Sequence, residues 1–395
     1  MVLLVASYHQ NCLSTSLTLG FHIRALTSTF NYQKCRFLYL VGQLGPGGLE
    51  RQLHLLLKGM DRKRYLPAVV VWSFSEDDTY VPQIRALAVP LYPLLRSMSP
   101  VAKLMAFRRL VMQLKPQVVH SYSFYTNFPA WWGTLGTNAI AIGAVRSDFD
   151  WAKNGTGPLL GSLSARWPRS QIFNSFAAAD YARNSRSVFA PRDCFVVRNG
   201  IDLDQFPNIP PPAGERPLIL GVGSLFPVKR WDRILVAALE LKRGGFDFLV
   251  KIVGDGPLRG RLEQQAQELG VADRVELLGH RDDIPDLLAG ATFLVHASDS
   301  EGCPNVVMEA MACGRAVVAT DVGDVPRLVD DGKTGFVVRP GDEATLVERM
   351  VTLITNRELC ERMGEAGRAK AEREFGLSRL VSETLAAYQV AGWRA

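Results

Sequence analysis

From residue 35 onward, short apolar runs alternate with segments of helical period, and a glycine or polar turn marks most changes of rhythm. Runs of this length, each followed by an amphipathic stretch, predict parallel strands joined by crossover helices. In the first half the predicted strands are 37–41, 68–72, 117–120, 139–145, 171–174 and 194–197. The rhythm breaks near Asn199-Gly200, where Pro207, Pro210, Pro211, Pro212 and Gly214 read as an extended linker. A second alternating block follows, with strands predicted at 218–222, 248–253, 275–278, 292–296, 316–320 and 335–338. The pattern therefore predicts an α/β chain of two doubly wound domains facing across a cleft, with ligands at the carboxyl ends of the strands.

Length agrees, since 395 residues exceed the roughly 250–300 that a single core usually serves. Residues 1–35 fit the scheme poorly; they contain Ser/Thr-rich stretches ahead of a natural first strand, and are expected to be an extension or a mis-assigned start with little order. No apolar run approaches the roughly 18 residues of a spanning helix, and the opening Met1 to Cys12 lacks the basic and apolar regions of a secretion signal. The six cysteines lie far apart without a Cys-x-x-Cys pair, as expected of reduced thiols in the cytoplasm.

The net charge of +6 hides an asymmetry: residues 1–200 hold 22 Lys and Arg against 9 Asp and Glu, and the remainder holds 23 against 30. Arg62-Lys63-Arg64 and Arg108-Arg109 suit an anionic membrane surface or a phosphate-bearing acceptor, and equally suit a merely solvated basic face. No nucleic-acid module accompanies them, so nucleic acid is not an expected partner.

Four turns carry candidate chemistry. Gly42 to Glu50 contains Gly45, Gly47 and Gly48 between a strand and a helix, where backbone N–H groups can approach an anion; the Gly-Lys-Ser/Thr ending of a Walker loop is missing. Gly221 to Arg230 places Lys229 before a helix, where a point charge can hold a pyrophosphate. Gly254-Asp255-Gly256-Pro257-Leu258-Arg259 imitates a dinucleotide fingerprint, but Arg259 stands where its third glycine belongs, which argues against a nicotinamide enzyme. Glu301 to Gly314 is the most specific. Pro304 and Gly314 delimit a short helix, Glu301 lies in the loop before it and Glu309 inside it. The N–H groups of Asn305 and Val306 can then face a diphosphate, Glu309 can accept both ribose hydroxyls, and Glu301 can take sugar hydroxyls.

The Glu-x7-Glu block, together with Gly279-His280-Arg281-Asp282-Asp283-Ile284 before it and Asp321 to Pro326 after it, resembles the donor site of the GT-B glycosyltransferases of family 4, the "glycosyl transferases group 1". The resemblance continues through Asn174-Ser175, Arg198 to Asp202 and Gly47-Gly48, over roughly residues 36–390. It implies two Rossmann-like domains: an acceptor-binding one at 36–205, completed by a final helix at 377–395, and a nucleotide-sugar-binding one at 206–376. It further implies catalytic roles for Lys229, Glu301 and His120, and donor contacts from Gly47, Gly48, Arg230, His280, Arg281, Asn305, Val306 and Glu309. Two positions depart from the family: Ser224 replaces an arginine of a phosphate clamp, for which Arg230 is the expected compensation, and Tyr122 replaces a second histidine two residues after His120.

The implied activity is retaining transfer of a hexose from UDP or GDP to a lipid-linked or polysaccharide acceptor of the cell envelope or an exopolysaccharide. It requires no metal or other cofactor and is expected at the cytoplasmic membrane's inner face. Asp148-Phe149-Asp150 and Asp202-Leu203-Asp204 form the Asp-x-Asp pattern of metal-dependent transferases, but such triplets are frequent by chance. A sugar-nucleotide epimerase on the same plan and a non-catalytic sugar-nucleotide-binding subunit are the alternatives. The proline-rich linker predicts closure of the two domains around ligand.

Overall fold

In the computed structural model, residues 36–146, 149–185, 187–210 and 216–394 are described. The expected N-terminal extension, the linker residues Pro211, Pro212 and Gly214, and Asp148 lie outside them. Two all-parallel sheets carry the fold. The first contains β1 (Phe37–Val41), β2 (Pro67–Phe74), β3 (Leu91–Leu95), β4 (Val118–Ser121), β5 (Ile140–Val145), β6 (Ser170–Phe173) and β7 (Asp193–Val196), in the order β3-β2-β1-β4-β5-β6-β7. The second contains β8 (Leu218–Val222), β9 (Leu249–Val253), β10 (Val275–Gly279), β11 (Phe293–His296), β12 (Ala316–Thr320) and β13 (Gly335–Val338), in the order β10-β9-β8-β11-β12-β13.

The unbroken apolar runs follow from burial of both sheet faces. Along β1, Phe37, Tyr39 and Val41 enter one core while Leu38 and Leu40 enter another. Along β12, Ala316 and Val318 divide in the same way from Val317 and Ala319. The one strand absent from the sequence reading is β3, where Pro93 interrupts the run. At a sheet edge one side of the ladder has no partner to lose, so the proline is tolerated.

After the second sheet, the helix Leu377–Val390 returns to the first domain, where Leu380, Val381, Ala387 and Tyr388 share a core with Phe37, Tyr39 and Leu56. The chain thus passes between the domains twice, and the two passages touch: the Ile201 N–H donates to the Phe375 carbonyl at 2.7 Å, and Ile201 pairs with Gly376 as an isolated parallel bridge. Asp324 of the second domain accepts from the N–H groups of Phe176 and Ala177, at 2.8 and 3.2 Å, at the start of a helix of the first. In each sheet the strand order reverses, between β1 and β4 and between β8 and β11, and the segments following β1, β8 and β11 line a common cleft. Among the described residues, no helix is long and apolar enough to cross a membrane.

Candidate active site

A cavity of about 460 Å³ lies between the domains, lined by Gly48, Arg51, Arg146 and Asn174 on one side and by Lys229, Glu301 and the start of the Asn305–Ala312 helix on the other. Lys229 ends a short turn after β8, and Glu301 lies in the loop after β11, the neighbouring strand. Adjacency of those strands brings the Lys229 ammonium to 2.5 Å from Glu301 Oε1. His296, at the carboxyl end of β11, places Nε2 3.1 Å from the same oxygen, and Ser298 Oγ is 3.2 Å from that nitrogen. Burial alone would raise the Glu301 carboxyl, but the His296 hydrogen bond and charge and the Lys229 ammonium outweigh it and hold the group down at about 2. The Glu301 loop is set from behind by Gly323, which has φ +56° and whose position leaves only 2.2 Å between a would-be Cβ and the Glu301 carbonyl oxygen.

Two helices begin at the cavity without a side-chain cap. The Gly48–Gly59 helix follows Gly47, and the Asn305–Ala312 helix follows Pro304. Neither cap residue covers the first N–H groups with its side chain, although in the Gly48–Gly59 helix the Glu50 carboxylate accepts from its own N–H; each helix start carries the positive end of its dipole. They approach closely: a Cβ on Gly48 would sit 3.1 Å from Asn305 Nδ2. Asn305 Oδ1 accepts from Asn199 Nδ2 at 2.8 Å and Gln52 Nε2 at 3.3 Å, and Gln52 exchanges two further hydrogen bonds with the backbone of Gly200. One turn deeper, the Glu309 carboxylate is buried and ion-paired with the Arg51 guanidinium of the opposite domain.

Of the residues singled out in the sequence, Gly48, Lys229, Glu301, Asn305, Val306 and Glu309 all line this cavity. The others are placed elsewhere. Gly47 sits exposed just outside the lining as the helix cap. Arg230 does not turn inward to compensate for Ser224; its guanidinium is held by Asp232 and Asp299, both at about 3 Å. His280 and Arg281 stand on the exposed loop after β10, where Arg281 grips Asp283 at 2.5 Å and His280 faces Asp282 at 3.3 Å; the lining is reached instead by Ile284, which opens the helix after that loop. His120 is buried behind the cavity, with Nδ1 2.7 Å from the Tyr388 hydroxyl of the returning helix. Burial, then the charge of Arg146, pushes its pKa well below the ordinary value, so it is a neutral core imidazole. Asp148 of one Asp-x-Asp triplet lies outside the described residues, and Asp202 of the other is buried and paired with Lys58 at the domain junction.

Sequence reasoning missed Arg51, Arg146 and His296. Each had a positional signal: Arg51 is a cation in the first turn of a helix, where the dipole disfavours it, and the other two follow or end a strand at its carboxyl end.

The chain belongs to the GT-B glycosyltransferases of family 4: residues 46–205 match the family described as Glycosyltransferase Family 4, and residues 203–370 match Glycosyl transferases group 1. Among curated relatives, N-acetyl-alpha-D-glucosaminyl L-malate synthase of Bacillus anthracis is 30% identical over 42% of this chain and 43% of its own length. Phosphatidyl-myo-inositol mannosyltransferase of Mycobacterium leprae is 31% identical over 55% of this chain and 59% of its own. The chain thus spans about half the length of the curated relatives it matches. Among solved structures, Anabaena HepE in complex with UDP and glucose shares the fold, with a TM-score of 0.77 over 90% of this chain and 99% of its own at 19% identity.

Proposed function

We propose that this chain is a retaining, metal-independent transferase that moves a hexose from a UDP or GDP sugar to a lipid-linked or polysaccharide acceptor at the inner face of the cytoplasmic membrane. The observation that carries the reading is the convergence of Lys229, Glu301 and two uncapped helix N-termini on one cavity of about 460 Å³, a volume that suits a nucleotide sugar. The UDP bound by the Anabaena neighbour supports the donor class, and the lipid in the name of the mycobacterial relative supports that acceptor. The basic first half of the chain supports contact with an anionic membrane.

In this reading the nucleoside enters beside the Asn305–Ala312 helix, and its ribose hydroxyls take the Glu309 carboxylate from Arg51. The diphosphate lies between the two helix starts. As the bond from the sugar's anomeric carbon to the phosphate oxygen breaks, negative charge grows on the departing phosphate and is met by Lys229 and the N–H groups of the helix starts. Glu301, kept ionised by His296 and Lys229, accepts from sugar hydroxyls. The acceptor oxygen attacks from the face the phosphate leaves, and its proton passes to a phosphate oxygen, which retains the configuration.

Thermal stabilisation by UDP, GDP and ADP, each with and without EDTA, tests this on the wild type and Glu309→Ala. Stabilisation by one nucleoside diphosphate, insensitive to EDTA and lost in the variant, is the expected result. An equal response of both proteins would sink the donor-site assignment, and a requirement for a divalent ion would sink metal independence.

A further inference from the structure

Five charged side chains line the cavity: Arg51, Arg146, Lys229, Glu301 and Glu309. Four of them form two ion pairs, Arg51 with Glu309 and Lys229 with Glu301. Among the described residues, Arg146 is left without a carboxylate partner. It follows the carboxyl end of β5 on the first-domain wall, and its guanidinium carbon stacks 3.9 Å from the centroid of the buried Tyr122 ring. Its Nε and Nη1 are buried, yet neither has a hydrogen-bond partner among the described residues. A guanidinium cannot shed its charge, and buried donors without partners are costly enough that native structures rarely keep them idle. The aromatic face beneath fixes the plane of the group without using any of its N–H donors.

Beside it, Asn174 donates from Nδ2 to the Arg146 carbonyl at 3.3 Å, while its buried Oδ1 has no partner among the described residues. The same side chain sits against Gly302, the residue after Glu301. The first-domain wall therefore offers a fixed cation and an open hydrogen-bond acceptor facing the loop that carries Glu301, a pairing suited to a polyol bearing an oxyanion.

We propose that Arg146 is a specificity-determining residue that reads a carboxylate or phosphate on the sugar or acceptor part of the substrates, and not the donor diphosphate. The proposal rests on the transferase reading above. The oxyanion has two sources, an acidic acceptor or an acidic transferred sugar, and both use the same guanidinium.

Isothermal titration of wild type, Arg146→Gln and Arg146→Lys decides among them. The first arm titrates UDP, GDP and ADP. The second saturates each protein with the nucleoside diphosphate that binds and titrates inorganic phosphate, D-glucuronate and uncharged D-glucose. The third compares uronate and neutral hexose conjugates of that nucleotide. The expected result is nucleoside diphosphate affinity changed less than twofold, with anion affinity at least tenfold weaker in Arg146→Gln and partly kept in Arg146→Lys. Loss in the second arm marks an acidic acceptor, and loss of a uronate preference in the third marks an acidic donor sugar. Anion and uronate responses that ignore the substitution overturn the proposal, as does a tenfold loss of nucleoside diphosphate affinity, which would assign Arg146 to the diphosphate. Failure of every nucleoside diphosphate to bind wild type defeats the transferase reading instead; phosphate titrated without nucleotide then still reports whether Arg146 holds an oxyanion.

Discussion

Lys229 and Glu301 stand 2.5 Å apart although 72 residues separate them. Their meeting is a product of topology: each follows the carboxyl end of a strand, and the two strands are neighbours at the point where the second sheet reverses its order. The pair is itself neutral, and in the proposed donor site an arriving diphosphate would compete with Glu301 for the ammonium.

Lys229→Ala is expected to lower kcat by about 10²–10³-fold, the usual cost of removing one group aimed at developing charge. Glu301 keeps His296 as a partner in this variant, so the fold survives. Release of nucleoside diphosphate at saturating donor is the measurement, and activity within tenfold of wild type would remove Lys229 from the mechanism.

The Glu301 carboxyl gives the protein an acid-sensitive contribution to stability. Its native pKa is about 2, below the ordinary 4.5, so the contribution is complete above roughly pH 4.5 and is lost as pH falls toward 2. Unfolding midpoints in denaturant should therefore drop more steeply across this window for wild type than for Glu301→Gln. Parallel curves would show that the carboxyl is not held down in the native state.

Gly323→Ala is expected to cost about 1–3 kcal/mol, because the position combines positive φ with a clash against the Glu301 carbonyl. The strain falls on the Glu301 loop of the proposed donor site, so stabilisation by nucleoside diphosphate should shrink along with the unfolding temperature. A variant that loses stability but binds nucleotide normally would show that the loop relaxes without moving Glu301.

Tyr388→Phe should cost about 1–3 kcal/mol by leaving His120 Nδ1 buried without its partner. Its kcat should stay within threefold, since both residues sit in the core behind the cavity. A large fall in kcat at unchanged stability would return His120 to the chemistry.

Much of this was legible in the sequence because both sheets are buried on both faces, so that strands such as Phe37–Val41 and Ala316–Thr320 are written as unbroken apolar runs. The Asn305–Ala312 helix was legible for another reason: Glu309 interrupts its otherwise small, apolar sequence. What escaped was whatever depends on direction. Arg230 lies beside Lys229 in sequence, yet its own left-handed backbone (φ +51°) at the turn accompanies a side chain directed to Asp232 and Asp299. His120 lies near the carboxyl end of its strand as a ligand residue would, but the returning helix, distant in sequence, covers it with Tyr388. Arg51 and Arg146 carry no motif, and only the facing of two domains gives them a common cavity.

The side-by-side passages at Ile201 and Gly376 limit how this molecule can move. One tether between two bodies would allow them to swing and swivel in any sense. Two tethers joined to each other act as a strap hinge, which lets the cleft gape and shut about a line through the strap but resists twisting one wall past the other. Domain closure about such a strap would return the Lys229 wall to the same register against Gly48 and Arg146, with no separate device needed to restore the alignment.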